Sequence, residues 1–330
     1  MARKNRTLLY KGERTMDNEV IGLIAGISGE ILAKKLHQRK KRVALIEGKK
    51  GESGEETADL VCVADLRNTD KIDEFLKTNS INKIIIGTGH ILALLLAKEL
   101  EGRGYCLSNN VDASLLAKDK VKYKEALINA GFQTPKYLSE EFENEPITVD
   151  IIKKHIGLPC VVKSPIDKIL PQKVNSEYEL KQAITDVRSA NSPVLIEQFV
   201  SGIDVTVPVV VKGKTAETVI VSYYSKAKEC HLKGFMDGDL ENKTLSDEDE
   251  KKLRNYCEQA ALKTGMEGLC RIDAIITSDR QIFILEANSI MVTGVHPNQI
   301  EYGRYFLERE HVDFADILID VAINKFEGKA

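Results

Sequence analysis

The sequence predicts an α/β domain with a parallel sheet over residues 17–111, followed by an α+β domain over 112–330. Three observations predict it. Residues 19–110 alternate apolar strand patterns with amphipathic helix patterns, the βαβ rhythm of a parallel sheet. After Asp112 that rhythm gives way to helices and long β-rich runs, 205–211 and 215–224. Residues 268–294, GLCRIDAIITSDRQIFILEANSIMVTG, read as two antiparallel strands about a turn at 278–280.

The first sixteen residues are basic and aperiodic, lack an apolar core segment, and are read as a disordered tail. A strand over 19–25 then meets a turn, Gly26-Ile27-Ser28-Gly29, and a helix over 30–39. Strand 42–47 ends in a Gly-rich loop, strand 60–63 precedes a helix at 69–78, and strand 83–86 ends in Gly87-Thr88-Gly89-His90 before a helix at 91–101. Ligands of such sheets bind beyond the carboxyl ends of the strands, so 25–30, 47–54 and 87–90 are candidate binding segments. The Gly26-x-x-Gly29 turn with Glu47 allows a nicotinamide-dinucleotide reading, although the full three-glycine fingerprint is absent. His90 reads either as a ligand contact or as a turn residue.

In the second half a helix is expected over 112–130, its lysines 118, 120, 122 and 124 reading as a solvated face. A short apolar strand ends at Lys163, which on a buried run needs a counter-charge. Helix 176–188 and strand 193–196 lead into Glu197-Gln198-Phe199-Val200 and Asp204. A charged loop, 225–245, precedes helix 246–264, and helices at 298–309 and 314–326 follow the hairpin.

Composition narrows the function. The net charge is −3 with 29% charged residues, so no basic excess points to nucleic acid. No apolar run reaches about 18 residues, so no membrane span is expected. The six cysteines form no CxxC pair, and three of them (Cys62, Cys160, Cys270) lie in strand-like runs, which points to free thiols and a cytoplasmic protein.

The hairpin carries the chemistry. In strands turning near Asp279, Asp273 and Glu286 sit nearly opposite, and period-two alternation puts Asn288 on the face of Glu286. Two carboxylates that close need a positive partner. Arg271 is one candidate. A divalent ion is another, since hard oxygen donors in small number suit Mg²⁺ shared with phosphates. The flanking residues are nearly all apolar, so both faces of these strands read as buried.

The order Lys120, Lys163, Glu197–Val200, Asp204, Asp273, Glu286, Asn288 resembles the ATP-grasp superfamily over about residues 112–325, and the preceding sheet resembles its usual N-terminal domain. The resemblance implies an ATP-grasp fold and a nucleotide held between two α+β subdomains, 112–196 and 197–330. It implies phosphate contacts from Lys120 and Lys163, adenine contacts from Glu197, Gln198, Phe199 and Val200, and ribose contacts from Asp204. Asp273, Glu286 and Asn288 would hold Mg²⁺ (or Mn²⁺), two ions being expected. Arg271 would steady the acyl-phosphate and the following oxyanion, and Lys226 or Lys228 would reach the γ-phosphate. RIDAIIT…IFILEANS, with the chain ending about 40 residues later, is similar to the D-alanine–D-alanine ligase group. Gly26–Glu30 resembles that group's N-terminal motif for a substrate ammonium, which makes Glu30 a substrate contact. Thr293, Gly294 and His296 would line the acceptor pocket, and His90 is a further candidate substrate contact. The compact N-terminal sheet looks more like that of purine-type or pyrrolysine-pathway ligases.

Two features depart from the family pattern. The loop over 164–174, SPIDKILPQKV, lacks the glycines that let backbone N–H groups wrap phosphate, so either Lys168 or Lys173 replaces those contacts or the loop orders only on binding. Ser289–Thr293 replaces a proline–glycine turn where substrate identity is read, which argues against D-alanine. The expectation is an ATP-dependent carboxylate–amine ligase acting on small-molecule, amino-acid-like substrates, without nucleic acid or membrane partners; a homodimer is compatible. The alternatives are a purine-type or carboxyphosphate-forming ligase and, from another class, a nucleotide-binding sensor without turnover.

Overall fold

The structure is a computed structural model that describes residues 19–141, 147–166, 168–224, 240–241, 245–291, 293 and 310–329. The basic tail, Lys226, Lys228, Gly294, His296 and the helix expected over 298–309 lie outside the described residues.

The first sheet is built from β1 (Val20–Ile24), β2 (Arg42–Glu47), β3 (Leu60–Val63), β4 (Lys83–Ile86) and β5 (Cys106–Leu107), all parallel, in the order β3-β2-β1-β4-β5. Every residue of VIGLI in β1 is buried, as a central strand covered on both faces requires. Its helices are α1 (Gly29–Gln38), α2 (Thr69–Thr78) and α3 (Ile91–Gly102). The strand order reverses at β1 and β4, so the crevice of this sheet opens between the turn after Ile24 and the loop at 87–90.

The helix expected over 112–130 is two helices, α4 (Val111–Lys118) and α5 (Lys120–Asn129). Asp119 leaves helical geometry and its carboxylate accepts the N–H groups of Val121 and Lys122 at 3.2 and 3.1 Å, capping α5. The lysines are not one solvated face either: Lys120 and Lys124 are buried, and Lys122 is exposed.

A small antiparallel sheet follows, from β6 (Tyr137–Ser139), β7 (Cys160–Lys163), β8 (Gln172–Val174) and β9 (Leu195–Gln198), in the order β6-β9-β7-β8. Helices α6 (Val149–His155) and α7 (Glu177–Ser189) cover it through Ile152, Leu180, Ala183 and Val187. The larger sheet contains β10 (Ile203–Lys212), β11 (Thr215–Thr218), β12 (Ser222–Tyr224), β13 (Leu240–Glu241), β14 (Gly268–Ile276) and β15 (Ile282–Asn288). Its order is β13-β12-β10-β14-β15, with β11 paired to β10. Helix α8 (Asp247–Lys263) packs Leu253, Cys257, Ala260 and Ala261 against Val205, Val207, Ile272 and Ala274. The last helix, α9 (Phe314–Phe326), joins the two halves. Phe314, Leu318 and Ile319 share one core with Leu32 and Leu36 of α1 and with Leu269 of β14. Lys35 meets Asp313 and Asp316 at 2.5 and 2.7 Å, and Arg39 meets Asp316 and Asp320 at 3.0 and 2.6 Å, along the same α1–α9 seam. Among the described residues no helix is long and apolar enough to cross a membrane.

Candidate active site

The hairpin of β14 and β15 turns at 277–281 and pairs Asp273 with Glu286 and Arg271 with Asn288. A bulge produces that pairing. From the turn, Ile276 pairs Ile282 and Ala274 pairs Ile284; the register then shifts, Leu285 is the extra residue, and Asp273 pairs Glu286. In an unbroken register Asp273 would oppose Leu285, and Glu286 would turn to the opposite face. Burial on the two faces is unequal: on the face of Arg271 and Asp273, Leu269 and Ile275 are buried, so the expectation of burial on both faces holds at the ends of β14 and fails at its charged centre. Ile272, Ala274, Ile284 and Ala287 pack into the core under α8, while Arg271, Asp273, Glu286 and Asn288 are half-buried along the other face.

That face is already charge-compensated. Arg271 holds Asp273 bidentately, Nε to Oδ1 at 3.0 Å and Nη2 to Oδ2 at 2.7 Å. The Thr206 hydroxyl of β10, the residue opposite Asp273 on that side, donates to Asp273 Oδ1. Asn288 Nδ2 lies 3.5 Å from Asp273 Oδ2. Lys120, the first residue of α5, places Nζ 2.8 Å from Glu286 Oε2. Burial would push the Glu286 carboxyl up, but the positive charges of Lys120, Lys163 and Arg271 outweigh it and hold the group ionised, below the usual carboxylate range.

Across from the hairpin, β7 and β9 lie side by side and bring Lys163 to Glu197, Nζ to Oε2 at 2.8 Å. The other oxygen of Glu197 faces Lys124 Nζ at 3.0 Å. Glu197 is 3% exposed and Lys124 has no exposed surface. Burial pulls the Lys124 ammonium down to about 8 against the pull of Glu197, so it is charged at neutral pH. Gln198 ends β9, Phe199 and Val200 follow it, and Asp204 is the second residue of β10. Lys173 stacks on the Phe199 ring, Nζ 3.9 Å from the centroid. Lys168 instead donates to the Asn191 carbonyl at 2.6 Å, and the N–H groups of Ile166 and Lys168 close on the Ser164 hydroxyl. In the glycine-free loop these backbone donors are therefore satisfied internally.

The candidate substrate side is where the parallel sheet meets the end of β15. Gly89 in the loop after β4, Lys118 and Lys120 of the α4–α5 break, and Glu286, Asn288 and Ser289 enclose a cavity of about 30 Å³. The segment after β15 docks on the N-terminal half: Ile290 enters the core of the parallel sheet, Met291 enters the core under α1, and Thr293 N–H donates to the buried Ser28 hydroxyl at 3.1 Å. Gly29 permits the close approach of the loop after β2, since a Cβ would stand 1.8 Å from the Ser53 carbonyl oxygen. Two expected substrate contacts have other partners: Glu30 is exposed and ion-paired with Lys34, and His90 caps α3, its Nδ1 accepting the Leu92 N–H at 3.3 Å. Glu47 accepts the Gly26 N–H at 3.1 Å. Burial first, and then the charge of Glu52, pushes its carboxyl up to about 7.

Lys120, Lys163, Glu197, Arg271, Asp273, Glu286 and Asn288 thus gather around one cleft. Sequence reading missed Lys124, Thr206 and Ser28. Lys124 had a signal, since it stands four residues after Lys120 and so shares its helix face. The other two carry none that separates them from ordinary hydroxyl residues.

Comparison with known proteins bears on the family and the fold. The family described as D-ala D-ala ligase C-terminus matches residues 127–294, half of the chain. The D-alanine–D-alanine ligase of Carboxydothermus hydrogenoformans is 25% identical over 231 residues, 66% of this chain and 72% of that protein. D-alanine–D-alanine ligase B of Chromobacterium violaceum is 29% identical over 184 residues, 54% and 59% of the two chains. Among solved structures, N5-carboxyaminoimidazole ribonucleotide synthetase from Thermotoga maritima superposes with a TM-score of 0.71 at 18% identity, over 93% of this chain and 76% of that one. An L-amino acid ligase from Bacillus licheniformis gives a TM-score of 0.67 at 14% identity, over 94% and 75%. Those two likenesses concern the fold. The match over 127–294 settles the family: this chain belongs to the D-Ala-D-Ala ligase C-terminal family and is an ATP-grasp carboxylate–amine ligase.

Proposed function

We propose that the chain activates an amino-acid-like carboxylate with ATP and joins it to an amine through an acyl-phosphate, releasing ADP and phosphate. The observation that carries this reading is the convergence of two buried lysines, Lys120 and Lys163, and a facing carboxylate pair, Asp273 and Glu286, on one cleft. Fixed ammonium groups of this kind neutralise phosphate oxygens as point charges. Backbone groups at Glu197–Val200 would meet the adenine edge, and Asp204 the ribose.

The donor set fits Mg²⁺. Asp273, Glu286 and the amide of Asn288 offer hard oxygens on one face, and the side-chain cations that now balance the carboxylates, Arg271 and Lys120, mark where a positive charge is accepted. Among the described residues no three His, Cys, Asp or Glu side chains group tightly enough to hold a metal ion by themselves. Bound there, the ion would supply charge neutralisation between phosphates. Lys120 and Lys163 would neutralise the phosphates, and Arg271 would steady the negative charge that develops on the acyl carbon's oxygen. Phosphorylating the carboxylate gives the amine a good leaving group to displace. Glu30 would pair with a substrate ammonium, and Thr293, with Gly294 and His296 beyond it, would border the acceptor.

A carboxyphosphate-forming reading is favoured by the fold likeness to an N5-carboxyaminoimidazole ribonucleotide synthetase in its ADP complex, TM-score 0.74. A phosphate-release screen with ATP, Mg²⁺ and panels of amino acids, with and without bicarbonate, separates the readings. Release that needs an amino-acid pair and ignores bicarbonate supports the amide ligase. Bicarbonate-dependent release contradicts it, as does tight ATP binding with no stimulated release, the behaviour of a sensor.

A further inference from the structure

Lys124 is the most enclosed charge among the described residues, and the ATP-site reading gives it no task. Three partners fix it: Glu197 Oε1 at 3.0 Å, the Thr134 hydroxyl at 2.7 Å and the face of Tyr137, whose centroid is 5.8 Å away. Glu197 therefore stands between two ammonium groups, one on each oxygen, with Lys163 at 2.8 Å on the other. A single carboxylate needs only one of them for neutrality. The two lysines differ in setting. Lys124 lies in the interior of α5, boxed by Thr134 and Tyr137, whereas Lys163 ends β7 and its charge is felt at Glu286 on the cleft floor.

A nucleotide phosphate arriving at Lys163 competes with Glu197 for the same ammonium. Were Lys163 the only counter-charge of Glu197, its transfer would strand a buried carboxylate, and the cost of stranding it would be charged against ATP binding. Lys124 removes that cost because it stays. We propose that Lys124 is a positioning residue: a fixed counter-ion that keeps Glu197 ionised and in place so that Lys163 can pass from Glu197 to the phosphates. The proposal rests on the ATP-ligase reading and assigns roles within one helix, Lys120 to the nucleotide side and Lys124 to the support behind it.

The test is equilibrium binding of ATP with Mg²⁺, measured by calorimetry on the wild type, Lys124→Met, Glu197→Gln and the double variant. With Lys124 gone, Lys163 is locked on Glu197, and the Kd for ATP rises about tenfold or more in Lys124→Met. With Glu197 made neutral there is nothing to compensate, so the double variant binds ATP within about twofold of Glu197→Gln. A merely structural lysine predicts a lower melting temperature in both backgrounds with no such dependence on Glu197. If Lys124→Met does not fold, the neutral pair still decides. A double variant that binds tenfold more weakly than Glu197→Gln overturns the proposal, as does a folded Lys124→Met with wild-type affinity. A wild-type protein that does not bind ATP overturns the ligase reading itself, and the proposal with it.

Discussion

At the scale of single residues, the site is a set of buried charges whose partners are all within reach, and its chemistry depends on which partner each can exchange. Glu286 is the clearest case, since it is held ionised by cations that a metal–phosphate group would replace. Glu286→Gln keeps the size and one acceptor and removes the charge. ADP formation is expected to fall by about 100-fold or more while the far-UV circular dichroism is unchanged; wild-type turnover would remove Glu286 from the metal-holding set. Glu47 gives a prediction on stability. Its folded carboxyl is raised from 4.5 to about 7, so the folded state binds the extra proton between those values. The stability this group contributes is present in full below pH 4.5 and is lost as pH rises through 7. Glu47→Gln retains an acceptor for Gly26 and should stabilise the protein at pH 8 by about 1–3 kcal/mol. Urea melts across pH 5 to pH 8 check this, and the variant's profile should be the flatter one.

At the scale of elements, the parallel half and the hairpin were legible because their signals are strong. Strands 42–47, 60–63 and 83–86 and helix 69–78 have the bounds their patterns indicate. The alternation in RIDAIIT and IFILEAN marks β14 and β15 directly. What escaped reading was set by pairing or by capping. The three-residue strands β6 and β8 carry too few residues for a period, and they exist because β9 and β7 offer them edges. The bulge at Leu285 is a property of two strands together, yet it is what turns Glu286 toward Asp273. Asp119 sits in a lysine-rich run that reads as surface helix, although its type is a helix-cap type. Asp119→Ala should cost about 1 kcal/mol in chemical denaturation. Because Lys120 and Lys124 ride on the helix it starts, the KM for ATP should rise as well. An unchanged KM would mean that the start of α5 is held by its packing alone.

At the scale of the whole molecule, the segment after the hairpin ties the catalytic sheet to the parallel one. The described residues of Ser289–Thr293 are anchored in the other half, Ile290 in the core of the parallel sheet and Thr293 on Ser28. On the proposed function, substrate reading would be coupled through this anchorage to the N-terminal turn, a link that no local sequence pattern reveals. Ile290→Ala should destabilise the protein by about 2–4 kcal/mol through the cavity it leaves, measurable by urea unfolding. A loss of less than about 1 kcal/mol would mean the segment repacks without it. The central claim concerns the reaction. Its most direct test uses carboxylate-¹⁸O-labelled amino acids, ATP and Mg²⁺, with the released phosphate analysed by mass spectrometry. The account predicts ADP together with phosphate that carries one ¹⁸O from the acid for each amide formed. AMP and pyrophosphate, or unlabelled phosphate accompanying amide formation, would contradict it.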